Sequence, residues 1–219
     1  AVVSPLDLEA EAAADRLRDA ILRLDPHECV AEAEAELRGP AASARLRAWA
    51  IFCVAEAQQD ARAEAALKLM RQALPDDPWT EFAAVGVGVA ENQLEDPTLV
   101  TRSAALMKLL ADHPDTWIVR ARALQRHQLN DEVIALAGLH PESGVLRAAR
   151  VRALYGLAGK DEAGRAEAFA AAQELTGVAA IAAAETVARW ARGGPRHLEA
   201  LAMIEAALIQ SPRSVVLHG

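Results

Sequence analysis

Two segments of this chain share one spacing of alanines, a bulky apolar residue and a proline. Ala66–Pro78 reads ALKLMRQALPDDP, and Ala200–Pro212 reads ALAMIEAALIQSP. Alanines seven residues apart lie on one stripe of a helix, where small side chains let a second helix come close. The proline that follows ends one helix and begins the next. Each segment is therefore predicted to be the second half of a helix–turn–helix repeat.

Helix breaks recur along the chain at a nearly constant distance. Pro78, Pro114, Pro141, Gly177 and Pro212 are separated by 36, 27, 36 and 35 residues. Tetratricopeptide repeats have a period of about 34 residues, and one arm here, Asn130–Leu139, is predicted to be short. We expect an all-α, tetratricopeptide-like right-handed α-α superhelix (solenoid) of about six helical hairpins. Residues 1–219 are predicted to form a single domain whose last repeat is incomplete.

Composition agrees with this fold class and excludes others. The chain has 219 residues, of which 53% are hydrophobic and only 4% aromatic. Such a composition favours helices, since alanine and leucine are strong helix formers. A net charge of −8 argues against nucleic acid as a partner, because binding phosphate requires basic clusters. No signal peptide and no membrane-spanning stretch are expected, so the chain is predicted to be cytoplasmic.

No catalytic, metal or cofactor motif is recognisable, and neither a metal nor a cofactor is expected. Cys29 and Cys53 are 24 residues apart, without metal-ligand spacing, and are predicted to be free, buried thiols in a reducing compartment. The histidines do not form a metal-binding pattern; they are His27, His113, His127, His140, His197 and His218.

The first helix of each hairpin in such a solenoid lines its concave side. This placement predicts a groove for a segment of another protein, apolar at its early end and basic at its late end. Its residues are Ile51, Ala55, Phe82, Val85, Val89, Ile118, Ala121, Val145, Arg152, Tyr155, Arg189 and Arg192. The alternative is that much of this set forms the core between hairpins.

The order of irregularities resembles the epsilon subunit of coatomer, a tetratricopeptide-like family. An early cysteine precedes an acidic helix, an Arg- and Trp-bearing first helix follows, and a short arm, a Gly-Gly break and a Ser-Pro segment come later. The matching stretches are Cys29–Leu37, Arg45 with Arg47 and Trp49, Val133–His140, Trp190–Gly194 and Ser211–Gly219. Two departures are Leu198–Ala202, where the family has an aromatic run, and His218, where it has Asn.

The resemblance implies a non-catalytic scaffold of the COPI vesicle coat (coatomer) in Golgi-to-ER retrograde protein transport. Its partner would be the C-terminal domain of the coatomer alpha subunit, and it would lie in the cytoplasm, peripherally on Golgi and COPI membranes. The family's further hairpins, which help to encircle that partner, are not found in this sequence. Two alternatives remain: a bacterial-type tetratricopeptide adaptor or chaperone that binds a peptide or helix of another client, and the regulatory domain of an enzyme.

Overall fold

The structure is a computed structural model that describes residues 5–23, 25–38, 43–90, 96–191, 196–210 and 212. The side chains of residues 5–7, 26, 27, 38, 190 and 191 are not described. Within these limits the chain is all-helical, as predicted, with twelve helices and no strand. The helices are α1 Pro5–Leu22, α2 Pro26–Arg38, α3 Ala44–Glu56, α4 Asp60–Ala73, α5 Pro78–Ala90, α6 Thr98–Leu109, α7 Pro114–Arg126, α8 Asn130–Leu139, α9 Gly144–Ala158, α10 Glu162–Gln173, α11 Gly177–Ala191 and α12 His197–Gln210.

Local sequence signals account for the helix ends. The side chain of Ser43 accepts a hydrogen bond from the Leu46 backbone N–H, and Ser143 accepts one from Leu146, so both serines cap first helices. Helix α8 ends at Leu139, two residues before Pro141, and has only 10 residues, the predicted short arm. The Gly193-Gly194 break and residues 213–219 lie outside the described residues.

The chain contacts divide the molecule into two compact units. The first comprises Ala1–Ile21 and Pro26–Ala123, and the second Leu22–Asp25 and Leu124–Gly219. In the first unit α3 packs against α2, α4 and α5, and in the second α9 packs against α8, α10 and α11. Packing between successive hairpins is typical of helical repeats. A continuous superhelix over residues 1–219 stays a prediction.

A common register relates the five first helices α3, α5, α7, α9 and α11. Counted from the first residue of each helix, positions 3, 5, 8 and 10 are buried in all five. These positions are Leu46, Ala48, Ile51 and Cys53 in α3; Thr80, Phe82, Val85 and Val87 in α5; Thr116, Ile118, Ala121 and Ala123 in α7; Leu146, Ala148, Val151 and Ala153 in α9; and Ala179, Ile181, Ala184 and Thr186 in α11. Positions 2, 6, 9 and 13 lie together on another side of each helix. We call them the inner face.

The two cysteines correct the sequence-based expectation of free thiols. Cys29 on α2 and Cys53 on α3 form a disulfide, with Cα atoms 5.6 Å apart. Both residues are buried at the α2–α3 contact, and sequence spacing alone does not reveal such a contact. Disulfides form mainly in oxidising compartments, so the cysteines no longer support the prediction of a reducing one. Among the described helices, none is both long and apolar enough to cross a membrane.

The disulfide is expected to stabilise the first unit by restricting the unfolded chain. Because it closes a loop of 24 residues, replacing both cysteines (Cys29→Ser with Cys53→Ser) should lower the free energy of unfolding by about 3 kcal/mol. Urea unfolding of the two proteins measures this loss. A reductant should destabilise the original chain and leave the double variant unchanged. Two alkylatable thiols in the unfolded, unreduced protein would contradict the bond.

Candidate functional site

The inner face is where binding side chains are sought, since it is not part of the shared buried register. Its residues are Arg45, Trp49, Phe52 and Glu56 in α3; Trp79, Ala83, Gly86 and Ala90 in α5; Asp115, Val119, Arg122 and Arg126 in α7; Val145, Ala149, Arg152 and Gly156 in α9; and Val178, Ala182, Glu185 and Arg189 in α11. The large and charged side chains lie mainly on α3 and α7. The α9 and α11 sets are mostly small.

In the first unit, the inner faces of α3 and α7 bind each other. The Arg45 Nε donates to Asp115 Oδ2 at 2.7 Å, and the Trp49 Nε1 donates to the same oxygen at 2.8 Å. Two turns further along, Arg122 forms an ion pair with Glu56, and its guanidinium lies 5.3 Å from the ring centroid of Phe52. Repeats in an open solenoid contact only their neighbours. Here α3 reaches past the next first helix, α5, to α7.

Small residues on α5 make room for this contact. Ala83 and Gly86 occupy its inner positions 6 and 9. A Cβ atom on Gly86 would lie 3.1 Å from Cγ of Phe52, which is closer than normal packing allows. The Phe52 ring therefore rests where α5 has no side chain.

Helix α1 completes the charge balance around Arg45. The guanidinium of Arg45 also donates to Glu11 Oε2 at 2.7 Å and to Asp15 Oδ1 at 2.6 Å, both on α1. Arg18 lies 3.5 Å from the other oxygen of Asp115, Oδ1, which accepts no hydrogen bond in the described structure. The side chain of Asp115 is 0% exposed, so this carboxylate is buried among cations.

The environment shifts two pKa values in the directions that keep both charges. Burial alone would raise the pKa of Asp115, but hydrogen bonds from Arg45 and Trp49 outweigh it and hold that pKa below its usual value. Burial likewise opposes the charge on Arg45, and its hydrogen bonds to Asp115, Asp15 and Glu11 raise its pKa above the ordinary value. These residues form a buried ionic centre that holds three helices together.

The early part of the predicted groove is core in this structure. Seven of its residues are buried: Ile51, Ala55, Phe82, Val85, Val89, Ile118 and Ala121. The prediction followed the apolar stripe of each first helix, and that stripe packs between helices. The inner face lies about a quarter turn around each helix from that stripe. Of the predicted groove residues, only Val145, Arg152 and Arg189 lie on the inner face. The alternative stated above, an inter-hairpin core, describes the early set.

The late part of the predicted groove lies at the surface of the second unit. Val145 and Tyr155 are partly exposed, and Arg152 and Arg189 are exposed; Arg192 lies outside the described residues. Tyr155 contacts α10, because the guanidinium of Arg165 on that helix lies 5.4 Å from the centroid of the Tyr155 ring. Burial raises the pKa of the Tyr155 hydroxyl.

The inner faces of α9 and α11 together form a strip, which we call the α9–α11 strip. The two helices pack through a shared apolar core that includes Val151 and Ala183. All eight strip residues are exposed or partly exposed: Val145, Ala149, Arg152, Gly156, Val178, Ala182, Glu185 and Arg189. Glu185 accepts a hydrogen bond from Arg189 at 2.5 Å. Most residues of the strip are therefore small or apolar. Its charged residues are Arg152 on α9 and Glu185 and Arg189 on α11.

A concavity in the first unit is lined by residues of α4, α5 and α6 and by Asp96. It has a volume of about 370 Å³. Its lining is Glu64, Leu67, Lys68, Arg71, Ala84, Val87, Gly88, Asp96, Leu99 and Arg102. Arg102 donates to both carboxylate oxygens of Glu81, at 2.7 and 3.2 Å. The remaining charges on its rim are of both signs, so the cleft selects no class of ligand.

The described residues hold no group of three or more His, Cys, Asp or Glu side chains placed to bind a metal ion. The histidines are dispersed over the fold. His113 lies beside Asp115, where its Nδ1 accepts a hydrogen bond from the Asp115 backbone N–H at 3.2 Å. The side chain of His27 and all of His218 lie outside the described residues.

A substitution in the buried ionic centre should lower stability much more than a substitution in an exposed ion pair. Asp115→Ala should lower the free energy of unfolding by about 3–5 kcal/mol, because it leaves Arg45 buried with one partner fewer. As a matched control, Glu34→Ala removes the exposed ion pair with Arg62 and should cost about 0–1 kcal/mol. Urea unfolding of each variant gives both values. Equal losses in the two variants would contradict the assignment.

The same centre predicts how stability depends on pH. Because the pKa of Asp115 is lowered in the fold, its contribution is fully present above the unfolded value of about 3.9. It is lost as the pH falls through the lower folded value. The stability difference between the original chain and Asp115→Asn should therefore shrink as the pH falls below about 4. Unfolding measured at a series of pH values tests this, and a constant difference would refute it.

Comparison with known proteins adds no relative from which a function could be carried over. No protein-family model, no curated protein and no solved structure matches this chain.

Proposed function

We propose that this protein is a non-catalytic helical-repeat scaffold that binds a segment of another protein on the α9–α11 strip. The observation that carries the proposal is a difference between equivalent positions. Of the eight inner positions on α3 and α7, five are buried, whereas all eight on α9 and α11 are exposed or partly exposed. A surface that the first unit fills with its own side chains is accessible in the second.

The residues of the strip suit a helical or extended segment. Ala149 has a small side chain, so a partner backbone can approach closely there. Ala182 packs partly against the core of the second unit, and Gly156 faces Asn130, whose Nδ2 lies 2.8 Å from where a Cβ of Gly156 would be. Val145 and Val178, one on each helix, add apolar surface at the same position in the repeat. The two arginines against one glutamate favour a partner that carries negative charge.

A narrower form of the proposal is a coat subunit that holds the C-terminal domain of the coatomer alpha subunit. Support comes from sequence: the short arm Val133–His140 and the Arg- and Trp-bearing helix α3. Two observations weigh against it. Arg45 and Trp49 are engaged inside the first unit, and Cys29 is in a disulfide, which is unusual for a cytosolic protein. A tetratricopeptide adaptor or chaperone with another client is the broader alternative.

Affinity capture from the native organism, followed by mass spectrometry and crosslinking, tests the proposal. The expected result is a partner protein that crosslinks to the second unit and is lost from the Arg152→Glu variant. Arg150→Glu is the matched control, because Arg150 is also exposed on α9 but points to another side of that helix. Equal capture by both variants would remove the strip from the interface. Recovery of coat subunits would favour the narrower form, and a single small client the broader one.

A further inference from the structure

Helix α1 covers the disulfide between Cys29 and Cys53. The backbone carbonyl oxygen of Leu17 on α1 lies 3.7 Å from Sγ of Cys29 and 3.9 Å from Sγ of Cys53. Cys29 is 1% exposed and Cys53 is 0% exposed. A thiol reduces a disulfide only when it can reach one of the two bonded sulfurs. In the folded first unit, α1 therefore stands between the bond and a thiol that approaches from the side of Leu17.

Helix α1 packs mainly through small side chains. Among its described side chains, the buried ones are Ala13, Ala14, Leu17, Ala20, Ile21 and Leu22. Half of these are alanines and none is aromatic, whereas α3 buries both Trp49 and Phe52 completely. Since stabilisation grows with the apolar area removed from water, α1 is held less firmly than α3. Helices with little buried apolar area open locally before the rest of a protein unfolds.

Two carboxylates attach α1 to the buried ionic centre. Glu11 Oε2 and Asp15 Oδ1 accept hydrogen bonds from the Arg45 guanidinium on α3, at 2.7 and 2.6 Å. Both carboxylate side chains are 48% exposed, so water can replace Arg45 as their partner. Arg45 keeps its bond to Asp115 on α7 when α1 departs. Helix α1 can therefore separate from α3 without leaving Arg45 unpaired.

We infer that α1 is a lid over the Cys29–Cys53 disulfide, with Glu11 and Asp15 as its latch on Arg45. In the native protein the disulfide is reduced only when this lid opens, while the rest of the first unit stays folded. The first unit thus contains a redox-sensitive device, in which the position of α1 decides whether the bond between α2 and α3 can be broken. This inference concerns the first unit and does not depend on the α9–α11 strip.

A dithiol reductant completes the reaction in two exchanges once the lid is open. A thiolate of the reductant attacks one sulfur, the S–S bond breaks, and the other cysteine leaves as a thiolate that takes up a proton. The second thiol of the reductant then displaces the first cysteine from the mixed disulfide. Two electrons and two protons pass to the protein, so that Cys29 and Cys53 become thiols and the reductant becomes a cyclic disulfide.

The test follows the reduction of the full chain by dithiothreitol under native conditions. Samples are trapped with an excess of N-ethylmaleimide, and mass spectrometry counts the labelled cysteines over time. Glu11→Gln removes one charge of the latch and should speed reduction about fivefold. Glu9→Gln is the matched control, because Glu9 is an exposed residue of the same helix. It should leave the rate unchanged.

Two further measurements separate the opening of α1 from unfolding of the whole unit. Leu106 is fully buried on α6, which packs against α5. Leu106→Ala therefore lowers the free energy of unfolding without touching the latch, and its reduction rate should equal that of the original chain. Low concentrations of urea should also change the rate little, because opening α1 exposes far less surface than unfolding does.

Three outcomes would overturn the inference. Equal reduction rates for Glu11→Gln and Glu9→Gln would remove the latch. A rate that rises with urea as steeply as global unfolding, or that rises in Leu106→Ala by the factor its lost stability predicts, would mean that the whole unit must unfold first. Reduction of the original chain as fast as that of the urea-unfolded chain would mean that α1 does not cover the bond.

Discussion

The first unit depends on a buried ion pair between helices that are two hairpins apart. Arg45 and Asp115 are 70 residues apart in sequence, and each is almost fully removed from water. Burying two charges costs several kcal/mol per ion, so the pair is tolerated only because Glu11, Asp15, Arg18 and Trp49 supply further partners. Its value lies in fixing which helices meet. Only an arrangement that brings α1, α3 and α7 together satisfies these groups.

That constraint explains why one repeat pattern gives two different surfaces. The buried positions 3, 5, 8 and 10 are equivalent in all five first helices, so the core does not distinguish the units. The inner face distinguishes the two units. Phe52 fills the space over Gly86 in the first unit, whereas the inner residues of α9 and α11 are all exposed or partly exposed. Side-chain size at a few inner positions therefore decides whether the face is core or surface.

The sequence predicted the helices well because their ends are local. Prolines, caps and the alanine spacing placed twelve helices, including the short α8 before Pro141. The groove was less predictable, since apolar periodicity marks the packed stripe and the inner face mixes Trp, Gly, Arg and Ala without period. The partnership of Arg45 with Asp115 and that of Cys29 with Cys53 join distant residues. Neither follows from spacing, which contains no information about which helices pack.

The separation between Arg45 and Asp115 also bears on the order in which the first unit assembles. The contact between α2 and α3, with its disulfide, involves residues 26–56 and can form early on a growing chain. Asp115 lies 59 residues beyond Glu56, and closing the 70-residue loop between Arg45 and Asp115 carries an entropic cost. Until then, Arg45 has only the carboxylates of α1 as partners. The three hairpins from α1 to α6 are therefore synthesised before α7, the helix that locks them.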